Sequence, residues 1–534
     1  MRTAHTLIAL GGLLGAVGGL SAGCIDYVAE YYAPLTDPKL ASGGTGTGGS
    51  TSSSSSTGTG GMPVDCSGDP SETNVVDACG VFVQADAAGA TEDGTQAHPY
   101  KSLQTAIDNA GTKRVYACAS APYVEAVTAA APIEMYGGFD CSKGWAWKAD
   151  GRSALNGPSG VVALTLTKAA DGTKVQGFSI TSANATTKGE SSVAVAVAAI
   201  AATLVSCQVT AGDGMPGEDV VTPPGTATKG TDAPPPDAMT MNACINPASV
   251  AGGAPGTLTC GDGVTAGGAG GKGGITTMMG GDGVVGMDGT PPDAVKGKGG
   301  AGQTVADVCA DGAKGKDGAD GAVGDAGLLP GALSLKGISD TDVTDGKPGL
   351  KGLGGGGGGG AKSGTFCAGS TDGNGASGGG GGAGGCGGEG GGGGKAGGSS
   401  IAIVSLGTKL KLTDVSLKTG KGGGGGKGMA GQGGGAVGLG AIGGAASGTS
   451  PSKAGCQGGN GGAGGGGGPG GGGRGGHSIG IAYSSAPSTA PILKNFMGDV
   501  AGTGGTAGTG NVMGKGAQGA NGACWDFTMN AACM

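Results

Sequence analysis

The sequence predicts an all-β fold in which a short rung of strands is stacked on itself and interrupted by long glycine-rich segments. One observation is an apolar pattern that occurs three times with the same internal spacing. It reads Ala163-Leu164-Thr165-Leu166 followed by Val175, Phe178 and Ile180, then Ser192-Val193-Ala194-Val195 followed by Leu204, Cys207 and Val209. It returns as Ser400-Ile401-Ala402-Ile403 followed by Leu412, Val415 and Leu417; in each copy the second apolar group starts 12 residues after the first position. A looser fourth copy, Ser478-Ile479-Gly480-Ile481 then Leu493 and Phe496, carries three extra residues, and the copies lie 29, 208 and 78 residues apart. Another observation is that polar residues alternate with the apolar ones: Ser179 and Thr181, Gln208 and Thr210, Ser416 and Lys418. A rung that contacts only its neighbours buries a continuous apolar column, and parallel strands in register leave free edges only at the two ends. A β-sandwich of short strands is the alternative, but it does not explain why insertions of such different size leave the spacing intact. The last observation is composition. Glycine makes up 135 of 534 residues and aromatics 3%, against about 7% glycine in an average protein. Glycine loses the most backbone entropy on ordering and has no side chain to bury, so one modest core with long glycine excursions is expected.

The net charge is −8 with 13% charged residues, and Lys and Arg are not clustered. A nucleic-acid binder needs a basic face, so nucleic acid is not an expected partner. Residues 1–23 read as an export signal: Arg2 and His5 precede an apolar run from Thr6 to Leu20, too short and glycine-interrupted for a membrane span. The ending Ser21-Ala22-Gly23-Cys24 resembles the lipobox of bacterial lipoproteins, although Ser21 stands where that family prefers Leu, Val or Ile. The resemblance implies lipid attachment at Cys24, a membrane partner through that lipid, and an outer-membrane or cell-surface address. Residues 24–62, rich in Gly, Ser and Thr, read as the acylated N-terminus and a flexible tether.

Folded structure is expected from residue 63, with N-terminal coils over 63–212. Val81-Phe82-Val83 reads as a strand, and Pro99 as the start of a helix with Tyr100, Leu103, Ala106 and Ile107 on one face. Val115 to Ala117, Tyr123 to Val127 and Ile133 to Phe139 read as further strands. The run Asp93-Gly94-Thr95, Pro99-Tyr100-Lys101-Ser102-Leu103, Arg114-Val115-Tyr116-Ala117-Cys118 and Tyr123-Val124-Glu125 resembles the opening coils of a pectin-lyase-like right-handed parallel β-helix. The likeness covers about residues 79–212 and the later rungs. It implies a capping helix on the first coil.

Glycine-rich insertions occupy 213–398, 421–476 and part of a tail over 501–534, and rungs occupy 399–420 and 477–500. Each excursion leaves after the last strand of a rung, at Ala211-Gly212, Thr419-Gly420 and Ala501-Gly502, which suggests one loop position. Gly312, Gly315, Gly318, Gly321, Gly324 and Gly327 recur every third residue. Collagen would need abundant proline; disorder and a bundle of polyglycine-II strands are the readings left. Overall composition resembles the PGRS glycine-rich surface proteins of mycobacteria.

Fourteen cysteines in an exported chain read as disulfides. Cys207 shares a column with Phe178 and Val415 and reads as a buried free thiol. Cys66–Cys79, Cys118–Cys141, Cys244–Cys260, Cys367–Cys386 and Cys524–Cys533 are candidate pairs by proximity in sequence, which would leave Cys309 with Cys456, although spacing alone does not decide connectivity. No C-x-x-C occurs and the three histidines are scattered, so neither zinc nor any other cofactor is expected. Asp213, Asp262 and Asp282, each flanked by glycine, hint at Ca²⁺ loops but miss the β-roll spacing.

Pectin-lyase-like enzymes hold Ca²⁺ or pair carboxylates for acid–base work, yet the rungs offer no recurring carboxylate pair. Asp414 stands where other copies have Gly177 and Ser206; Glu92, Asp93, Glu125 and Glu134 read as turn and solvent-face residues. No catalytic residue is therefore assigned. The expectation is a non-enzymatic surface lipoprotein with a structural or adhesive role, whose partner is a polysaccharide or another cell surface. A carbohydrate-active enzyme and a glycan- or ice-binding protein are the alternatives.

Overall fold

A computed structural model describes residues 64–534 except 74, 221–224, 276–282, 306, 340–342, 369–370, 450, 509–512 and 534. The expected signal peptide, Cys24, the tether and Asp282 lie outside the described residues.

The chain is predominantly β. Gly80–Val83 pairs in parallel with Arg114–Cys118, which pairs with Glu134–Asp140. The helix over Leu103–Ala110 lies between the first two strands in the chain. It begins four residues later than the sequence suggests, because Tyr100 stays extended: its N–H donates to the Phe82 carbonyl at 2.9 Å. Ser102 caps the helix by accepting from the Thr105 N–H, and Glu125 accepts from the Leu103 N–H at 2.6 Å. A carboxylate suits the unpaired N–H groups and positive dipole of a helix start. The expected strand from Tyr123 to Val127 is shorter and lies further on, at Val127–Ala129. Tyr123 instead makes a single bridge to Leu155 and donates its hydroxyl to the Val83 carbonyl at 2.7 Å.

From Leu164 the chain visits three sheets in turn. Leu164–Leu166, Thr173–Gln176 and Phe178–Ser182 are followed by Ser192–Val197, Ala202–Val205 and Gln208–Thr210. Ser400–Ser405, Leu410–Thr413 and Ser416–Lys418 repeat the order. Each strand pairs in parallel with its counterpart in the preceding copy. Ser478–Tyr483, Asn495–Met497 and Asn521–Asp526 extend two of the sheets. Leu164, Val195, Ile403 and Ile481 form one fully buried column, and Ile180, Val209 and Leu417 another.

The pairing departs from the sequence pattern in three places. Leu164 pairs with Val195 rather than Val193, a slip of two residues that keeps the same face because strand side chains alternate with period two. In the fourth copy Phe496 pairs with Leu417 rather than taking the position of Val415. Val193, Ile401 and Ile479 do not join the interior: with Ala196, Val404 and Ala482 they form a separate apolar cluster. Leu333 and Ile338, from the hairpin Leu333–Ser334/Gly337–Ile338, pack against this cluster. The inserted segment thus supplies the cover for residues that a bare stack would leave exposed.

The glycine segments pack side by side as extended chains hydrogen-bonded every third residue. The N–H groups of Gly312, Gly315, Gly318, Gly321, Gly324 and Gly327 donate to the carbonyls of Gln457, Asn460, Ala463, Gly466, Pro469 and Gly472, at 2.8 to 3.0 Å. Between these glycines Lys314, Lys316, Asp317 and Asp320 face solvent. Among the described residues, the segment 455–476 bonds to six others. Its contacts include Gly461 with Gly438, Gly462 with Leu353, and Gly462 with Gly385. Asn460 with Gly315, Gly473 with Gly505 and Gly475 with Ala517 complete the six. This explains the composition: a segment bonded on few sides needs one glycine in three, whereas 455–476 bonds on several sides and keeps room for side chains along one row, at Gln457, Asn460, Ala463 and Pro469.

Candidate functional site

The array joins the strand stack through a ladder of buried hydroxyls. Ser192, Ser400 and Ser478, the first residues of their copies, are in register. The Ser192 hydroxyl accepts from the Gly212 N–H at 3.0 Å and the Ser400 hydroxyl from the Gly420 N–H at 2.9 Å. The Ser478 hydroxyl donates to the Gly420 carbonyl at 2.9 Å. Buried backbone groups need partners, and these hydroxyls supply them where two excursions leave the sheet. The adjoining column is Ser191, Ser399 and His477: the Ser399 N–H donates to Ser191 Oγ and the His477 N–H to Ser399 Oγ.

His477 and Arg474 face a cavity of about 270 Å³ at this junction, lined also by Lys188, Glu218, Ser339 and Lys395. His477 Nδ1 accepts from the Ala520 N–H at 3.0 Å, so the ring proton sits on Nε2. Burial, with the Arg474 charge adding to it, holds this imidazole down to about 3, hence neutral. Arg474 donates from one terminal nitrogen to the Leu328 carbonyl at 3.1 Å. The sequence analysis assigns neither residue a role. The usable signal was a long cation inside an otherwise all-glycine stretch.

The carboxylates weighed for catalysis are engaged elsewhere. Glu92 accepts from the Lys101 N–H, Asp93 from the Thr95 N–H, and Glu125 from the helix start. Glu134 pairs with Arg114 at 2.8 Å. Asp414 accepts from Ser206 Oγ and pairs with Lys494 at 2.8 Å. Lys494, then Ser206, hold its carboxyl below the usual range. Gly177, Ser206 and Asp414 share a left-handed backbone, with φ of 73°, 48° and 54°. The column is therefore selected for a turn conformation that Gly and Asp tolerate, not for charge.

Asp213 and Asp262, weighed as Ca²⁺ ligands, accept from the N–H groups of Lys421 and Lys351 in neighbouring segments. Asp311, Asp317 and Asp320 do the same toward Gln457, Ala463 and Gly466. Among the described residues no group of three His, Cys, Asp or Glu side chains is placed to hold a metal.

Six disulfides form: Cys66–Cys79, Cys118–Cys141, Cys244–Cys367, Cys260–Cys386, Cys309–Cys456 and Cys524–Cys533. The proposed pairings Cys244–Cys260 and Cys367–Cys386 are thus replaced. Lateral packing of distant glycine segments brings cysteines 123 and 126 residues apart together, closer than their sequence neighbours. Cys207 is a buried free thiol, its pKa pushed up to about 11 by burial. Below that pH the folded state keeps the proton that the unfolded thiol loses from about 8.5 upward, so this group's contribution to stability falls between those values. Iodoacetamide at pH 8 is accordingly expected to leave Cys207 unmodified until denaturant is added; mass spectrometry showing prompt native-state alkylation would contradict its burial.

Compared with protein-family models, curated proteins and solved structures, the chain finds no match.

Proposed function

We propose that the chain is an exported, lipid-anchored envelope protein with a structural or adhesive surface role. In this reading a right-handed parallel β-helix of the pectin-lyase-like kind carries a polyglycine-II array. The observation that carries it is the lateral bonding of the glycine segments. A three-residue hydrogen-bond repeat is that of a threefold extended helix, and segments from all three excursions share one array. Such an array is a stiff platform whose outer positions hold side chains free of the packing. The structural engagement of Glu92, Asp93, Glu125, Glu134 and Asp414 favours this reading over a carbohydrate-active enzyme. Anchoring rests on the lipobox resemblance at Cys24.

The purified mature protein is expected to produce neither new reducing ends nor unsaturated products on a polysaccharide panel. Sustained turnover of any member would refute the non-enzymatic reading. Cys24→Ala should move the protein from the membrane fraction to the soluble one, and retention in the membrane would refute the lipid anchor.

A further inference from the structure

We propose that the cavity between the glycine array and the strand stack binds a small oxyanion, a carboxylate, sulfate or phosphate group, through Arg474, Lys188 and Lys395. Arg474 is only 6% exposed and His477 only 2%. Arg474 Nε and His477 Nε2 are buried N–H donors with no hydrogen-bond partner among the described residues. A guanidinium stays protonated under all ordinary conditions, and a buried cation without a counter-charge is strongly disfavoured unless an anion completes it. No carboxylate lies within ion-pair distance of Arg474, Lys188 or Lys395 among the described residues. Glu218 is the one acidic side chain lining the cavity among the described residues, against these three cations. The lining residues therefore carry net positive charge, and two of them hold an unpaired donor buried behind the cavity wall.

An oxyanion matches both features. Its oxygens accept several hydrogen bonds at once, and the planar guanidinium fork favours carboxylate, sulfate or phosphate over a spherical halide. This inference does not depend on where the chain is anchored.

The test is calorimetric titration of the full mature protein with sodium sulfate, sodium phosphate and sodium glucuronate. Each is compared with sodium chloride at equal ionic strength. Saturable one-to-one binding of at least one oxyanion is expected, and the preferred anion tells a sugar acid from a free inorganic ion. The double variant Lys188→Gln/Lys395→Gln should bind that anion at least tenfold more weakly with an unchanged melting temperature. Arg474→Gln should abolish binding, and circular dichroism establishes whether that variant folds; if it does not, the lysine variant decides. Heats no different from chloride for all three anions would overturn the proposal, as would unchanged affinity in the lysine variant.

Discussion

Gly465→Ala is expected to destabilise the protein by about 3 kcal/mol or more, the upper range for forcing a methyl group into a packed interior. A Cβ at Gly465 would fall on the Ala319 carbonyl oxygen, and backbone on both sides of that contact belongs to bonded segments. The next residue is the control. A Cβ at Gly466 meets nothing closer than Asp320 Oδ1 at 3.5 Å, so Gly466→Ala should change stability by less than about 1 kcal/mol. The neighbouring sequence has the same logic, since Asn460, Ala463 and Pro469 carry side chains at positions in step with 466. Chemical denaturation followed by circular dichroism separates the two. Equal behaviour of the two variants would mean that the faces carrying Gly465 and Gly466 do not differ in packing.

Loss of the Cys309–Cys456 bridge is the other large effect. The bridge closes a loop of 147 residues, for which the chain-entropy account predicts about 5 kcal/mol. The Cys66–Cys79 loop of 13 residues should be worth about 3 kcal/mol on the same account. Cys309→Ser/Cys456→Ser should therefore shift the denaturation midpoint more than Cys66→Ser/Cys79→Ser. The reverse order would show that lateral backbone bonds already hold the segments 309–327 and 455–476 together. Non-reducing peptide mapping should recover Cys244 with Cys367 and Cys260 with Cys386.

The acidic residues show why no catalytic group was legible. Asp213, Asp262 and Asp317 recur beside glycines as metal-binding loops do, yet they accept backbone N–H groups from segments 89 to 208 residues away. Spacing in the sequence cannot tell a cation ligand from a lateral cross-link, because the difference lies in what a distant segment places opposite. Arg474 and His477 were obscured for the same reason. Their isolation becomes visible only when the neighbouring segments are seen to carry few charges toward them.

By itself the sequence determined the strand repeat and the places where excursions leave it. Those features follow from local alternation of apolar and polar residues, which acts over a few positions. It also marked Cys207 as interior, through the column shared with Phe178 and Val415. The glycine segments were open to two readings, disorder or a three-residue extended bundle, because glycine places little constraint on its own backbone. Only the tertiary structure decided their packing, the cysteine pairing across them and the cover over Val193, Ile401 and Ile479. Each of these depends on hydrogen bonds between segments far apart in the chain, and a glycine leaves no side-chain pattern to announce its partner.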